Sequence, residues 1–118
     1  MISSHTLAWT SLAIGGWAVG NGILHDIAVI RGHFREYDRQ FLYYILNGHI
    51  IIFSGIFEMV SYAGVDRDQM WGSIVSGIAA VGMVIYCVMI WKFLPSILTI
   101  ALQSGLFILL VLHLLKTL

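Results

Sequence analysis

The sequence predicts an all-α integral membrane protein whose four transmembrane helices form an up-down antiparallel bundle. Of its 118 residues, 59% are hydrophobic and 10% are charged, whereas soluble domains carry about a quarter charged residues. A soluble fold of this length could not bury so much apolar side chain. The chain also contains four long apolar runs, and about 20 helical residues cross the roughly 30 Å of a bilayer core.

The four predicted spans share high hydropathy and polar boundaries, and they cover residues 7–30, 41–62, 70–92 and 95–115. Because no linker or low-complexity tract divides the chain, residues 1–118 are expected to form a single domain. No Lys or Arg precedes the first run, and no small-x-small cleavage site follows it before Gly15. That run is therefore expected to be a permanent span and not a cleaved signal peptide. Pro95 is expected in the first turn of the fourth helix.

Small residues predict where the helices pack closely. One face of the first span is small or polar at helical spacing: Gly15, Ala18, Gly22, His25 and Val29. Gly16 and Gly20 form a separate small-xxx-small pair. Gly48 and Gly55 supply close-packing positions in the second span. Because the glycine and serine faces exceed what four helices need among themselves, we expect a homo-oligomer or a partner membrane subunit in the lipid bilayer.

Polar side chains inside the spans are the candidate buried or ligand-binding residues, because polar groups in hydrocarbon need a partner or a purpose. These residues are Asn21, His25, Asp26, Asn47, His49, Glu58, Gln103 and His113. Glu58 and His113 fall near one membrane face and form a predicted outer pair. Gln103 falls between that pair and the opposite face.

Four of the five remaining candidates form what we call the inner cluster: His25, Asp26, Asn47 and His49. A hairpin of the first two spans would bring these residues together near the face opposite the outer pair. Asp26 is then expected to point toward the second span or the first loop and not toward lipid. His25 lies on the glycine face of its helix and is expected to enter the bundle.

The basic residues predict the orientation of the chain. Arg31, Arg35 and Arg39 follow one another at four-residue spacing in the first loop, residues 31–40. If helical, they share a face that could contact lipid phosphates or an acidic partner. Together with Lys92 they outnumber the basic residues of the other side, so loops 31–40 and 92–95 are predicted to be cytoplasmic.

The predicted location is a bacterial inner membrane or another cellular membrane. A formal net charge of zero argues against a nucleic-acid partner. No G-x-S-x-G, phosphate-binding loop or Cys-x-x-Cys motif occurs, so the sequence favours a non-enzymatic protein and assigns it no cofactor.

Three classes of function fit these patterns. The favoured class is an accessory or structural membrane subunit, in which Asn21, Asn47 and Gln103 form hydrogen bonds between helices. The second class is transport of a proton, an ion or a small solute along the ionisable residues. The third class is a metal, haem or quinone site with His25 and His49 as ligands and Asp26 beside them.

Overall fold

The structure, a computed structural model, describes residues 2–33, 36–92 and 95–117. Within these ranges the chain forms helices and no strands. The helices are α1 (Ser4–His33), α2 (Arg39–Val60), α3 (Tyr62–Asp66), α4 (Met70–Met89) and α5 (Ile97–Thr117). Since α3 continues α2 directly, the described chain holds four helical segments long and apolar enough to cross a membrane. This confirms the predicted all-α class and the number of candidate spans.

The first connection is shorter than the predicted loop over residues 31–40. The α1 helix continues to His33, and α2 begins at Arg39. Asp38 caps α2, because its carboxylate accepts a hydrogen bond of 2.8 Å from the backbone N–H of Phe41. An acidic side chain at this position satisfies one of the free donors of the helix start.

Arg31 and Arg39, the two described arginines of this region, do not share a helix. Arg31 belongs to the last turn of α1, Arg39 begins α2, and residues 36–38 between them are not helical. Arg35 lies outside the described residues. The expected row of arginines along one helix is therefore wrong for the pair that the structure describes.

The second connection, between the predicted spans 41–62 and 70–92, contains the short helix α3. Ser61 marks the junction between α2 and α3, and its hydroxyl donates a 2.6 Å hydrogen bond back to the carbonyl of Phe57. Such bonding from a serine to a preceding turn can bend a helix without ending it. The chain consequently continues through Tyr62–Asp66 before it reverses.

The reversal after α3 is a Schellman motif with aspartate at its left-handed position. Asp68 has a φ of 54°, which is unusual outside glycine and asparagine. The N–H of Gln69 donates to the carbonyl of Gly64 at 2.8 Å, and the N–H of Asp68 donates to Val65 at 3.1 Å. These two bonds satisfy carbonyls at the end of α3 and direct the chain into α4.

The third connection also differs from the prediction. The α4 helix ends at Met89, three residues before the predicted end of its span, and α5 begins at Ile97. The backbone N–H of Ile100 donates to the carbonyl of Ser96 at 3.1 Å. Pro95 therefore precedes the helix and does not lie in its first turn. Residues 93 and 94 of this connection lie outside the described residues.

Two glycine pairs, which we call the glycine seam, bring α1 and α2 into backbone contact. A Cβ added at Gly15 would lie 2.6 Å from the carbonyl oxygen of Gly55. A Cβ added at Gly22 would lie 2.7 Å from that of Gly48. Real Cβ atoms are not accommodated at such distances, so each position requires glycine. The seam confirms the close-packing face predicted for α1, and it pairs the beginning of α1 with the end of α2.

A hydrophobic core fills the end of the molecule that holds the chain termini. Its fully buried members come from α1, α3, α4 and α5, and they include Leu7, Ala8, Val65, Ala80, Leu106 and Leu110. A second close contact, between Gly64 and Gly72, holds α3 against α4, since a Cβ at Gly64 would lie 2.7 Å from the Cα of Gly72.

The outer surface of the four long helical segments is apolar. Large exposed side chains occur on each of them, among others Trp17, Phe53, Ile78 and Leu98. Gly16 and Gly20 lie on this outer surface, and a Cβ at either position would meet nothing within 4 Å. The small-xxx-small pair of α1 is therefore not used for packing within the described chain.

The glycine seam gives a direct test of the packing between α1 and α2. Gly55→Ala is expected to lower the free energy of unfolding by about 1–3 kcal/mol, because the added methyl group forces two backbones apart. Gly16→Ala is the matched control, and it should be neutral or stabilise by up to about 1 kcal/mol through helix propensity. Unfolding curves in detergent that rank the two variants in the opposite order would contradict the seam.

Candidate functional site

A layer of polar side chains crosses the middle of the helix bundle. We call it the buried polar layer, and its members are Ser11 of α1, Glu58 of α2, Ser76 of α4 and Gln103 of α5. All four have no exposed surface. The Ser11 hydroxyl donates to the backbone carbonyl of Glu58 at 2.9 Å and lies 2.7 Å from the Ser76 hydroxyl. One serine thus links three helices through hydrogen bonds.

The two largest side chains of this layer have no hydrogen-bond partner outside their own pair. The Gln103 amide lies beside the Glu58 carboxyl group. None of the four terminal oxygen and nitrogen atoms of the two side chains reaches hydrogen-bond geometry with any other described residue. The ion pairs of the described chain join histidines to aspartates, so no cation compensates Glu58. A buried polar group in this state is costly and points to a use other than packing.

The predicted outer pair of Glu58 and His113 is not formed. The Nε2 atom of His113 lies 3.0 Å from Oδ1 of Asp68 and 3.4 Å from the Ser4 hydroxyl. Ser4 also donates a hydrogen bond to Asp68. Gln103 accompanies Glu58 and does not lie between separate polar groups. The rotation of α5 about its axis decides this pairing, and spacing along the sequence does not specify that rotation.

A second histidine–aspartate pair lies at the same end of the molecule. Nδ1 of His5 lies 2.8 Å from Oδ1 of Asp66, and the indole N–H of Trp9 donates to Nε2 of His5 at 3.1 Å. Because Nε2 accepts a hydrogen bond, this network assigns the proton of a neutral His5 ring to Nδ1. We call the two pairs together the terminal cluster.

The inner cluster lies at the opposite end, and its charged member faces α2 as the hairpin predicts. Oδ2 of Asp26 lies 3.2 Å from Nδ1 of His49, and Oδ1 lies 3.8 Å from Nδ1 of His25. Nδ1 of His49 also lies 2.8 Å from the carbonyl of Ile45. A carbonyl only accepts, so this nitrogen carries a proton and donates it to Ile45, while the Asp26 carboxylate lies within ion-pair distance of the ring.

Gly48 provides the space that Asp26 occupies. A Cβ at Gly48 would collide with Oδ1 of Asp26 and would lie 3.0 Å from the carbonyl oxygen of Gly22. The Asn47-Gly48-His49 segment therefore combines a glycine that admits the carboxylate with a histidine that binds it. The spacing predicted the proximity of these residues, but the specific role of the glycine was not foreseen.

Asn21 does not link helices as expected. Nδ2 of Asn21 donates to the carbonyl of Trp17, one turn earlier in α1, at 3.0 Å. Asn47 is half-buried. The prediction that Asn21 bonds across helices is wrong, because its own helix offers a nearer acceptor. Ser11 and Ser76 form the observed link between helices.

A cavity of about 320 Å³ lies between the buried polar layer and the inner cluster. Its polar lining residues lie on α1, on α4, on α5 or directly before α5. They are Asn21, His25, Tyr86, Cys87, Ser96 and Thr99. Thr99 is four residues, or about 6 Å by helical rise, from Gln103. Nδ1 of His25 is buried without a hydrogen-bond partner among the described residues.

The described residues contain no group of three or more His, Cys, Asp or Glu side chains arranged to hold a metal ion. His25 and His49, the predicted candidate ligands, both approach Asp26. Their contacts describe a carboxylate held between two imidazoles. Arg31 and Arg39, the described members of the predicted lipid-phosphate or partner contact, are exposed at the same end.

The helical pattern of α1 could have identified one residue that the sequence interpretation missed. Ser11 precedes Gly15 by one turn, so it extends the same buried face toward the N-terminus. Ser4, Asp66 and Asp68 could not be found in this way, because their contacts depend on how the helix ends meet.

No family model, curated protein or solved structure matches this chain. The interpretation of the site therefore depends on its own geometry.

The contact between Asp26 and Gly48 predicts a strong interaction between two substitutions. Gly48→Ala is expected to destabilise the protein by about 1–3 kcal/mol, because the methyl group displaces the Asp26 carboxylate. In an Asp26→Ala background the same change should cost less than half as much, because the obstructing carboxylate is gone. Gly55→Ala, seven residues or about 10 Å along α2 from Gly48, should be additive with Asp26→Ala. Additivity of Gly48→Ala with Asp26→Ala in unfolding measurements would contradict the contact.

Proposed function

We propose that the protein is an integral membrane protein whose four helical segments cross the bilayer as an up-down antiparallel bundle. The exposed apolar side chains on all four segments support insertion, since water would not tolerate so large an apolar surface. The glycine seam supports opposite directions for α1 and α2. Contacts of Ser73 and Gly77 with the second half of α5 support the same for α4 and α5.

We further propose that residues 31–40 and 92–95 face the cytoplasm, with a bacterial inner membrane or another cellular membrane as the location. The argument is the excess of basic residues on that side. Arg31, Arg39 and Lys92 are all exposed, so they can contact lipid phosphates or an acidic partner.

Within the membrane, we propose that the protein acts as a structural subunit that assembles through α1. The observation that carries this proposal is the outward position of Gly16 and Gly20, where no other part of the described chain approaches. Small residues four apart allow two transmembrane helices to approach closely, which is a main source of helix association in lipid. The bonds of Asn21 and His49 within their own helices, and the contact of His113 with Asp68, support a structural role for these predicted polar residues.

The occupant that we propose for this face is α1 of a second copy of the chain. A small-xxx-small stripe is complementary to itself, and two-fold dimers are the commonest oligomers. The neighbouring exposed residues of α1, Ala13, Trp17 and Ile23, are uncharged, so two copies of the face do not repel each other.

The proposed orientation can be tested by cysteine labelling. Cys87 is the only cysteine, so Cys87→Ala provides a background for Tyr37→Cys and Arg67→Cys. A membrane-impermeant maleimide added to intact cells is expected to label position 67 and to label position 37 only after lysis. Labelling of both positions, or of position 37 alone, in intact cells would refute the proposed topology.

The proposed assembly can be tested by enlarging the outward glycines. Gly16→Leu and Gly20→Leu should weaken association at least about tenfold, equivalent to about 1.4 kcal/mol, because they separate the two α1 helices. Gly32→Leu is the matched control on the same helix, since its surroundings are equally open. If mass measurements in detergent give a monomer for the unmodified chain, self-assembly is refuted. If a membrane protein co-purifies with the unmodified chain and is lost in both leucine variants, the face belongs to an interface with another subunit.

A further inference from the structure

We infer that Glu58 and Gln103 form a proton-exchange site inside the bundle, which protons reach through the cavity on the inner-cluster side. This role is separate from assembly through α1. The site consists of two fully buried side chains that lie beside each other and whose polar ends have no partner outside the pair in the described structure.

The surroundings of Glu58 favour an uncharged carboxyl group. The Gln103 amide of α5 lies beside it. The Ser11 hydroxyl of α1, which lies 2.7 Å from the Ser76 hydroxyl of α4, donates to the backbone carbonyl of Glu58. None of them is a cation. The Lys and Arg residues of the sequence occur at positions 31, 35, 39, 67, 92 and 116, away from the middle of any helix. An ionised carboxylate without a partner is strongly disfavoured in hydrocarbon.

Gln103 is suited to both states of such an acid. Its amide carbonyl can accept a hydrogen bond from a protonated Glu58, and its NH₂ group can donate to an ionised one. A lysine at this position would fix the carboxylate in its charged form, and a leucine would support neither form. The amide therefore makes loss and return of a proton chemically accessible without supplying a permanent charge.

Access to this site is asymmetric. On one side, the cavity of about 320 Å³ reaches Thr99, only about 6 Å by helical rise from Gln103. On the other side, the hydrophobic core containing Leu7, Val65, Leu106 and Leu110 separates the layer from the terminal cluster. These four side chains are at most 2% exposed.

The exchange step moves a single proton and involves no change of oxidation state. The O–H bond of the Glu58 carboxyl group breaks, the proton passes to a water molecule in the cavity, and the carboxylate that remains accepts a hydrogen bond from Gln103. Return of a proton from water restores the neutral acid.

Titratable groups on the cavity side are His25, Tyr86 and Cys87, which line the cavity, and Asp26 beside His25. On the opposite side, beyond the hydrophobic core, they are His113 and Asp68.

The protonation of Glu58 can be observed by infrared spectroscopy of the full chain in dodecyl maltoside, a detergent without ester carbonyls. At neutral pH we expect a carboxylic-acid C=O band that is lost in Glu58→Gln and kept in Asp26→Asn. In the double variant Glu58→Gln/Gln103→Glu the acid moves to the facing helix, and the band should return. Absence of the band in the unmodified chain, or its persistence in Glu58→Gln, would overturn the inference.

Access is tested by following the same band after transfer into D₂O. Exchange of the carboxyl proton shifts the band, and the inference requires that this shift occur in the folded protein. Thr99→Phe fills the cavity and should slow the shift by about an order of magnitude, since exchange then needs local opening. Ala101→Phe, at an exposed position two residues later, should leave the rate unchanged. A folded protein whose band never shifts, or equal rates for the two variants, would overturn access through the cavity.

Discussion

The backbone contact between α1 and α2 is the constraint on which the other features depend. Where Gly22 meets Gly48, the helices approach closely enough for Asp26 to rest on the glycine and reach His49. Two turns away, the contact of Gly15 with Gly55 places Ser11 against the carbonyl of Glu58. Larger residues in the seam would separate the helices, so both polar regions would lose their geometry together.

The polar groups are sorted by depth according to what each environment can support. At the ends of the bundle histidines pair with carboxylates, as Asp26 does with His49 and Asp68 with His113. In the buried polar layer the polar groups are hydroxyls, an amide and one acid. A carboxyl group can exist there as a neutral acid, whereas a guanidinium could not lose its charge. This difference explains why Glu58 is tolerated at a depth where the chain carries no arginine.

Local patterns predicted much of the fold because hydropathy and helical periodicity are properties of short segments. They identified the four long helices and the buried face from Gly15 to Val29. They failed at helix ends for two reasons. Ser61 bends a helix without ending it, and the left-handed conformation of Asp68 could not be predicted from its residue type. They also failed for Glu58, whose partner depends on the rotation of α5. The inner cluster was predictable because a hairpin of two helices fixes its geometry without reference to the other helices.

The glycine seam also affects how related chains could be identified. Each of its helices carries two glycines seven residues apart, and those in the first helix face those in the second in reverse order. The exposed apolar positions of the long helices can exchange Ile, Leu, Val and Phe with little effect, so overall sequence identity would decay quickly during divergence. The paired glycine spacing, with an acid four residues after the second glycine of the first helix, cannot drift as freely. A distant homologue should therefore be identified by this sparse pattern of small residues and a single acid, even where no other similarity remains.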